Sequence, residues 1–233
     1  MVKDIEIIKK RVKHLELLAI EGEGNEYKGN VLVIGNAYGI MPYQEPLAEE
    51  IEKAGYRPYW FAFRGQEGVP GYYSFATGVE DIKAVVDYLE GNGNLPLHVL
   101  AHCSGSLLTL EYLVKNPGNP IKSLIIYGLL YKMSRRRKIA ERKFELSEVN
   151  YKLSEEDWSY EPLDALSKVK IPIFFCHAND AANIGRGTEE EMEKALSATK
   201  KEKIQWFDEG YDDNFDMIPL YMKYYREFLD SVR

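Results

Sequence analysis

Residues 101–106 read AHCSGS; they follow the apolar run at 97–100 and open a helix-prone stretch from Leu107 to Lys115. A small residue, a spacer, Cys103, a spacer and Gly105 form the pattern of a strand that turns sharply into a helix and lifts one side chain above the sheet. A helix N-terminus favours negative charge, so a thiol held there is drawn toward the thiolate that attacks carbonyl carbons. The chemistry expected of Cys103 is therefore acyl transfer, with proton handling and an oxyanion site supplied from elsewhere in the chain.

Positioning such a thiol takes a sheet. Short apolar runs at 5–8, 15–20, 30–34, 57–63, 97–101, 123–127, 171–176 and 204–207 read as strands. Several are apolar throughout, as strands covered on both faces must be. Amphipathic stretches alternate with them. Leu47, Ile51 and Ala54 share one helix face, as do Val79, Ile82, Val86 and Leu89, and later Met217, Tyr221, Tyr224 and Phe228. Gly55 and the glycines Gly91 and Gly93 read as C-terminal stops of the first two helices. The first two strands, joined by short polar links, are expected to pair antiparallel and lead into a parallel sheet. The fold class is α/β: a mostly parallel, eight-stranded, doubly wound sheet flanked by helices.

The stretch from Leu130 to Val169 interrupts this alternation with a long, charged, helix-prone segment, in which Arg135, Arg136, Arg137 and Lys138 are consecutive. It is expected to form a short lid inserted in a single domain spanning residues 1–233. The basic run reads first as a solvated helix face and second as a grip for an anionic substrate group.

Composition narrows the classes of function. The chain has 233 residues, 45% of them hydrophobic and 29% charged, enough for one sizeable core. A net charge of −7 argues against nucleic acid or an anionic membrane as the main partner. No apolar run is long enough to span a membrane, and the first ten residues lack the apolar core of a signal peptide, so a cytoplasmic location is expected. Cys103 and Cys176 are the only cysteines and suggest no disulfide framework, and Cys176 in its IFFC run reads as a small core residue.

Taken in order, these parts resemble the α/β-hydrolase superfamily from about Leu15 to Arg233. Residues 101–105 resemble its nucleophile elbow, with cysteine in place of serine as in dienelactone-hydrolase-like members. The GNAYG run, Gly35 to Gly39, stands where the family has its oxyanion loop. The FRGQ run, Phe63 to Gln66, is similar to the family's aromatic, Arg, Gly turn after the fourth strand. EDIKAVVDYL matches the helix before the elbow strand, and HAND, His177 to Asp180, matches the loop that carries the acid. The resemblance implies Cys103 as nucleophile, Asp180 as acid, and an oxyanion hole made of the backbone N–H groups of Ala37 and Ser104. It implies no cofactor, and a small-molecule acyl substrate.

One part departs from the family. Its base is a histidine, following a Gly-x-x turn before the last helix. Here that turn starts at Gly210 and the base position holds Asp213, with no histidine after His177. A carboxylate with a pKa near 4 is a weak acceptor for a proton from a thiol near 8.5. Asp180 and Asp213 converging on one site would repel as dianions, so one of them would keep a proton and could serve as acid and base. His102 should point away from Cys103 by strand alternation, His177 reads as support for the acid loop, and His14 and His98 read as structural. Cys103, His177, Asp180 and Asp213 match no short metal motif and mix soft with hard donors, so no metal is expected.

Two classes of function follow. One is a cysteine-type hydrolase or acyltransferase acting on an ester, thioester or lactone through an atypical, His-less triad. The other is a non-hydrolytic member of the fold: a pseudoenzyme, a ligand-binding protein or an isomerase. The nucleophile kept at the elbow favours the first, and Asp213 the second.

Overall fold

The computed structural model describes residues 5–22, 26–37, 44–66, 68–129, 134, 137–147, 149–178, 202–207 and 218–232. Its strands are β1 (Ile5–Val12), β2 (Leu15–Gly22), β3 (Asn30–Ile34), β4 (Arg57–Phe61), β5 (Leu97–His102), β6 (Ile121–Tyr127), β7 (Ile173–Ala178) and β8 (Glu202–Phe207). They form one eight-stranded sheet in the order β1-β2-β4-β3-β5-β6-β7-β8. β2 pairs antiparallel with β1 and with β4, and every other pairing is parallel. Parallel neighbours need long crossovers, and those between β3 and β7 are made by helices, with a further helix after β8. They are α1 (Gln44–Lys53), α2 (Phe75–Gly91), α3 (Ser104–Lys115), α4 (Arg137–Leu146), α5 (Glu155–Ser159), α6 (Pro162–Lys168) and α7 (Ile218–Ser231).

Alternation along the central strands creates two cores. In β3, Leu32 and Ile34 face the layer built by α2, α3 and the 137–168 helices, while Val31 and Val33 face α1 and α7. All four are fully buried. Burial of a side chain of this size stabilises the fold by about 1.5–3 kcal/mol, so a strand apolar on both faces is fixed in the sheet interior.

The expected elements are present, with shifts at their ends. β4 stops at Phe61, ahead of the turn that Gln66 N–H closes on the Phe63 carbonyl, and β7 starts at Ile173, after Pro172, whose carbonyl still accepts from Leu124 N–H but which has no N–H of its own for the ladder. Gly55 ends α1 in the left-handed region at φ 88°, as a glycine stop should. α2 instead runs through Gly91 and is closed by Asn92 at φ −114°, whose N–H donates to the Tyr88 carbonyl. On α7 the buried stripe runs through Tyr221, Met222, Tyr225, Phe228 and Leu229, with Tyr224 at its half-exposed margin. A polar-headed tyrosine carries little positional signal, which is why the face assigned from sequence was rotated. Met217 lies outside the described residues.

The segment between β6 and β7 folds onto the chain rather than away from it. Phe144 is 1% exposed and stacks on Tyr151 at 4.4 Å, and Trp158 is buried beside it in the same core. Tyr73 and Asn150 stitch the segment to the turn after β4: Tyr73 N–H donates to the Asn150 carbonyl at 2.8 Å, and Asn150 N–H to that of Gly65 at 2.8 Å. Arg137 is committed inside the segment, to Glu155 at 2.7 Å and Glu141 at 3.0 Å, with its guanidinium 5.4 Å above the Trp158 ring. Lys138 is exposed, and Arg135 and Arg136 lie outside the described residues. Lys138 fits the solvated-face reading of the basic run, whereas Arg137 is partly buried and engaged within the segment. Among the described residues no helix is long and apolar enough to cross a membrane.

At the end of the sheet away from Cys103, His98 is fully buried. Its Nδ1 lies 2.8 Å from Ser123 Oγ, and its Nε2 has no hydrogen-bond partner among the described residues. Burial, aided by the charge of Lys122, pushes the imidazole down to about 4 from its ordinary 6.5. The unfolded chain therefore binds a proton there that the native chain does not, and native stability is lost as pH falls from about 6.5 toward 4. The loss approaches about 3 kcal/mol. Urea unfolding of wild type and His98→Gln at pH 7 and pH 4.5 should show a clearly smaller acid loss in the variant. Equal losses would contradict the buried neutral state.

Candidate active site

The turn from β5 into α3 forms from residues that leave almost no room. Cys103, the N-cap of α3, adopts φ 54° and ψ −119°, a region that a side chain enters only at a cost of about 1–3 kcal/mol. Three contacts hold it there. Cys103 N–H donates to the Tyr127 carbonyl at 3.1 Å, tying the turn to the end of β6. Ser106 N–H donates back to the Cys103 carbonyl at 3.1 Å, while Ser106 Oγ donates to that of Ala101 at 3.1 Å. Gly105 packs so closely against β3 that a Cβ there would collide with the Gly35 carbonyl and stand 2.7 Å from that of Ile34. Glycine at 105 is thus required by the approach of one backbone to another.

The thiol of Cys103 faces the α2/α3 core, in company with Ala37 and Leu129, and the residue is 3% exposed. No acidic residue occupies the first turn of α3, and no side chain caps it, so the helix end presents its partial positive charge to this site. His102 lies on the opposite face of β5. It stacks on Tyr127 with ring centroids 5.1 Å apart, and Tyr127 OH in turn donates to Tyr221 OH of α7 at 3.1 Å. Alternation along β5 separates His102 from the thiol, as expected. Cys176 is placed in the other core, where burial pushes its thiol well above the usual range against an opposing bond with Tyr225.

The Asn36–Ala37 peptide, at the end of β3, is gripped from two sides. Ala37 N–H donates to Ser104 Oγ at 2.8 Å, and the Asn36 carbonyl accepts from Gln66 Nε2 at 3.3 Å. The two residues assigned to the oxyanion hole are therefore adjacent, but the Ala37 donor is engaged by the hydroxyl of its expected partner. Sequence reasoning did not anticipate this bond, because it counted only backbone groups.

The turn after β4 is anchored by a residue that sequence reasoning passed over. Asp81 of α2 is fully buried and accepts from the Arg64 backbone N–H at 3.0 Å and from Arg64 Nε at 2.8 Å, with His14 Nε2 at 3.0 Å from the same carboxylate. The available signal was an Arg-Gly turn followed by an acidic residue inside an apolar helix face. Asp180 and Asp213 both lie outside the described residues. His177 pairs in register with Trp206 of β8, at the C-terminal end of the sheet. Among the described residues no three His, Cys, Asp or Glu side chains gather as metal ligands.

No protein-family model matches the sequence, and no curated protein matches it either. Solved structures do match. An esterase of Pyrococcus furiosus superposes with a TM-score of 0.74 at 16% identity, covering 99% of this chain and 91% of that one. An esterase of the bacterial hormone-sensitive lipase family covers 100% of this chain and 86% of its own, at 18% identity and a TM-score of 0.69. A thioesterase domain from the curacin biosynthetic pathway matches over 97% of this chain and 99% of its own, with 13% identity and a TM-score of 0.64. With this strand order, these flanking layers and the sharp turn at Cys103, the chain has the α/β-hydrolase fold.

Proposed function

We propose that this protein is an acyl-transfer enzyme, a hydrolase or acyltransferase for an ester, thioester or lactone, with Cys103 as nucleophile. The observation that carries the proposal is the strained backbone at Cys103, φ 54° with ψ −119° in a buried residue at a strand-to-helix turn, because strain of this kind clusters where a side chain is held for use. Similarity in fold to esterases and a thioesterase supports the same class.

In the proposed reaction Cys103 Sγ, as thiolate, forms a bond to the substrate carbonyl carbon, and the C=O pair moves onto oxygen. The N–H groups of Ala37 and Ser104 are assigned to that oxyanion. The pair then returns, the bond to the leaving alkoxide or thiolate breaks with its electrons, and the leaving group takes up the proton that the thiol gave up. A water or an acceptor hydroxyl next attacks the acyl-thioester, the C–S bond breaks with its electrons, and the proton lost by the attacking oxygen passes to the released Cys103 sulfur. Asp180 and Asp213 are assigned to proton handling, one of them kept protonated by the charge of the other. A carboxylate is a weak base for the second step. Substrates with good leaving groups and a slow release of the acyl group are the expected pattern. The 130–169 segment is assigned to the lid.

One observation favours the non-hydrolytic alternative: the Ser104 hydroxyl already takes the Ala37 N–H. A labelling experiment separates the two. With 4-nitrophenyl acetate, Cys103 should be acylated on the order of 10²-fold faster than a model thiol, the increment one preorganised oxyanion donor supplies. Mass spectrometry should place the acetyl group on Cys103, with Cys176 unmodified. Acylation no faster than that of the model thiol would sink the proposal in favour of a binding protein.

A further inference from the structure

Gln66 takes no part in the proposed bond-making, yet it is 1% exposed and ties two turns together. Its Oε1 accepts from the Phe63 N–H at 2.9 Å, which fixes which end of the amide is the donor. Its Nε2 must then face the Asn36 carbonyl, at 3.3 Å. The turn that carries it is rigid. Gln66 N–H closes on the Phe63 carbonyl at 3.1 Å, Gly65 adopts φ 83°, and Arg64 is held by the buried Asp81.

A peptide plane following a strand and a glycine can rotate, and rotation of Asn36–Ala37 would replace the N–H at the elbow with a carbonyl oxygen. That exchange would turn a donor for the oxyanion into a group that repels it. We propose that Gln66 is the positioning residue of the oxyanion site: by holding the Asn36 carbonyl it keeps the Ala37 N–H aimed at the elbow. The Ser104 hydroxyl, 2.8 Å from Ala37 N, marks the position where an acceptor oxygen sits when the peptide is so held. This role rests on the acyl-transfer function proposed above.

The test compares two reactions of the same thiol. Acylation by 4-nitrophenyl acetate develops an oxyanion, whereas alkylation by iodoacetamide displaces iodide at a saturated carbon and develops none. In folded chain the ratio of the two rates therefore reports the oxyanion site, and urea unfolding midpoints taken under each assay condition establish that every variant is folded where the rates are read. In Gln66→Glu a carboxylate, which only accepts, faces the Asn36 carbonyl, and the ratio should fall by about 10²-fold, as on loss of one oxyanion donor. It should recover in part on acidification, when the introduced carboxyl takes a proton and can donate again. Gln66→Met, of similar length but with no donor, should lose the ratio equally and recover at no pH. A merely structural residue would show neither the selective loss nor its reversal. Wild type that acylates faster than a model thiol, with an unchanged ratio in both variants, overturns the role of Gln66 alone. Wild type that acylates no faster than the model thiol overturns the acyl-transfer function, and this role with it.

Discussion

Gly105→Ala should lower stability by about 3 kcal/mol and slow acylation of Cys103 by about 10²-fold or more. Alanine is the better helix former by about 1 kcal/mol, so on propensity alone the change would stabilise α3. The collision decides otherwise. The added Cβ would run into the Gly35 carbonyl and lie 2.7 Å from that of Ile34, and neither backbone oxygen can swing away as a side chain could. Relief requires α3 and the end of β3 to separate, which moves the Ala37 N–H away from Cys103. Gly91→Ala provides the contrast, since a Cβ there meets nothing and the residue is helical; it should be neutral or stabilise by up to about 1 kcal/mol. Urea unfolding midpoints together with acetylation rates check both. A Gly105→Ala protein with wild-type midpoint and rate would show that the turn and β3 are not in the contact described.

Asp213→His should raise turnover of small activated esters by about 10²-fold, within the range that a positioned general base contributes. On the role proposed for this position, the substitution exchanges a carboxyl, whose ordinary pKa is near 4, for an imidazole, whose ordinary pKa is near 6.5, so water attacking the acyl-thioester would meet a competent acceptor at neutral pH. If Asp213 stands at the proposed base position, the substitution also removes a carboxyl group from the site, and Asp213→Asn separates that contribution, since it removes the carboxyl and supplies no base. The gain should therefore be large in Asp213→His, small in Asp213→Asn, and absent when Cys103→Ala is added. Steady-state release of 4-nitrophenol as a function of pH is the measurement, with a rise through about pH 6.5 expected in the histidine variant. Turnover no greater than in wild type would show that the site has diverged beyond its base.

The sequence by itself determined the alternation of strands and helices, the eight strands and the location of the turn at Cys103. Each of these rests on local periodicity or on a short run of residue types, and local signals survive in a linear string. The antiparallel start was legible too, because short polar links permit little else. Several features were decided only by the tertiary structure. β4 lies between β2 and β3 through pairings that no local pattern encodes. The Asp81 carboxylate that holds Arg64 and His14, the Gln66 amide on Asn36 and the Ser104 hydroxyl on Ala37 join residues up to 67 positions apart. Buried polar groups take whichever partner the packed chain brings within about 3 Å, and the choice is made by packing rather than by spacing along the chain. AHCSGS thus marked the strand-to-helix turn, whereas the Asn36–Ala37 peptide beside it is held by Gln66 and Ser104, which only the packing of the two turns brought together.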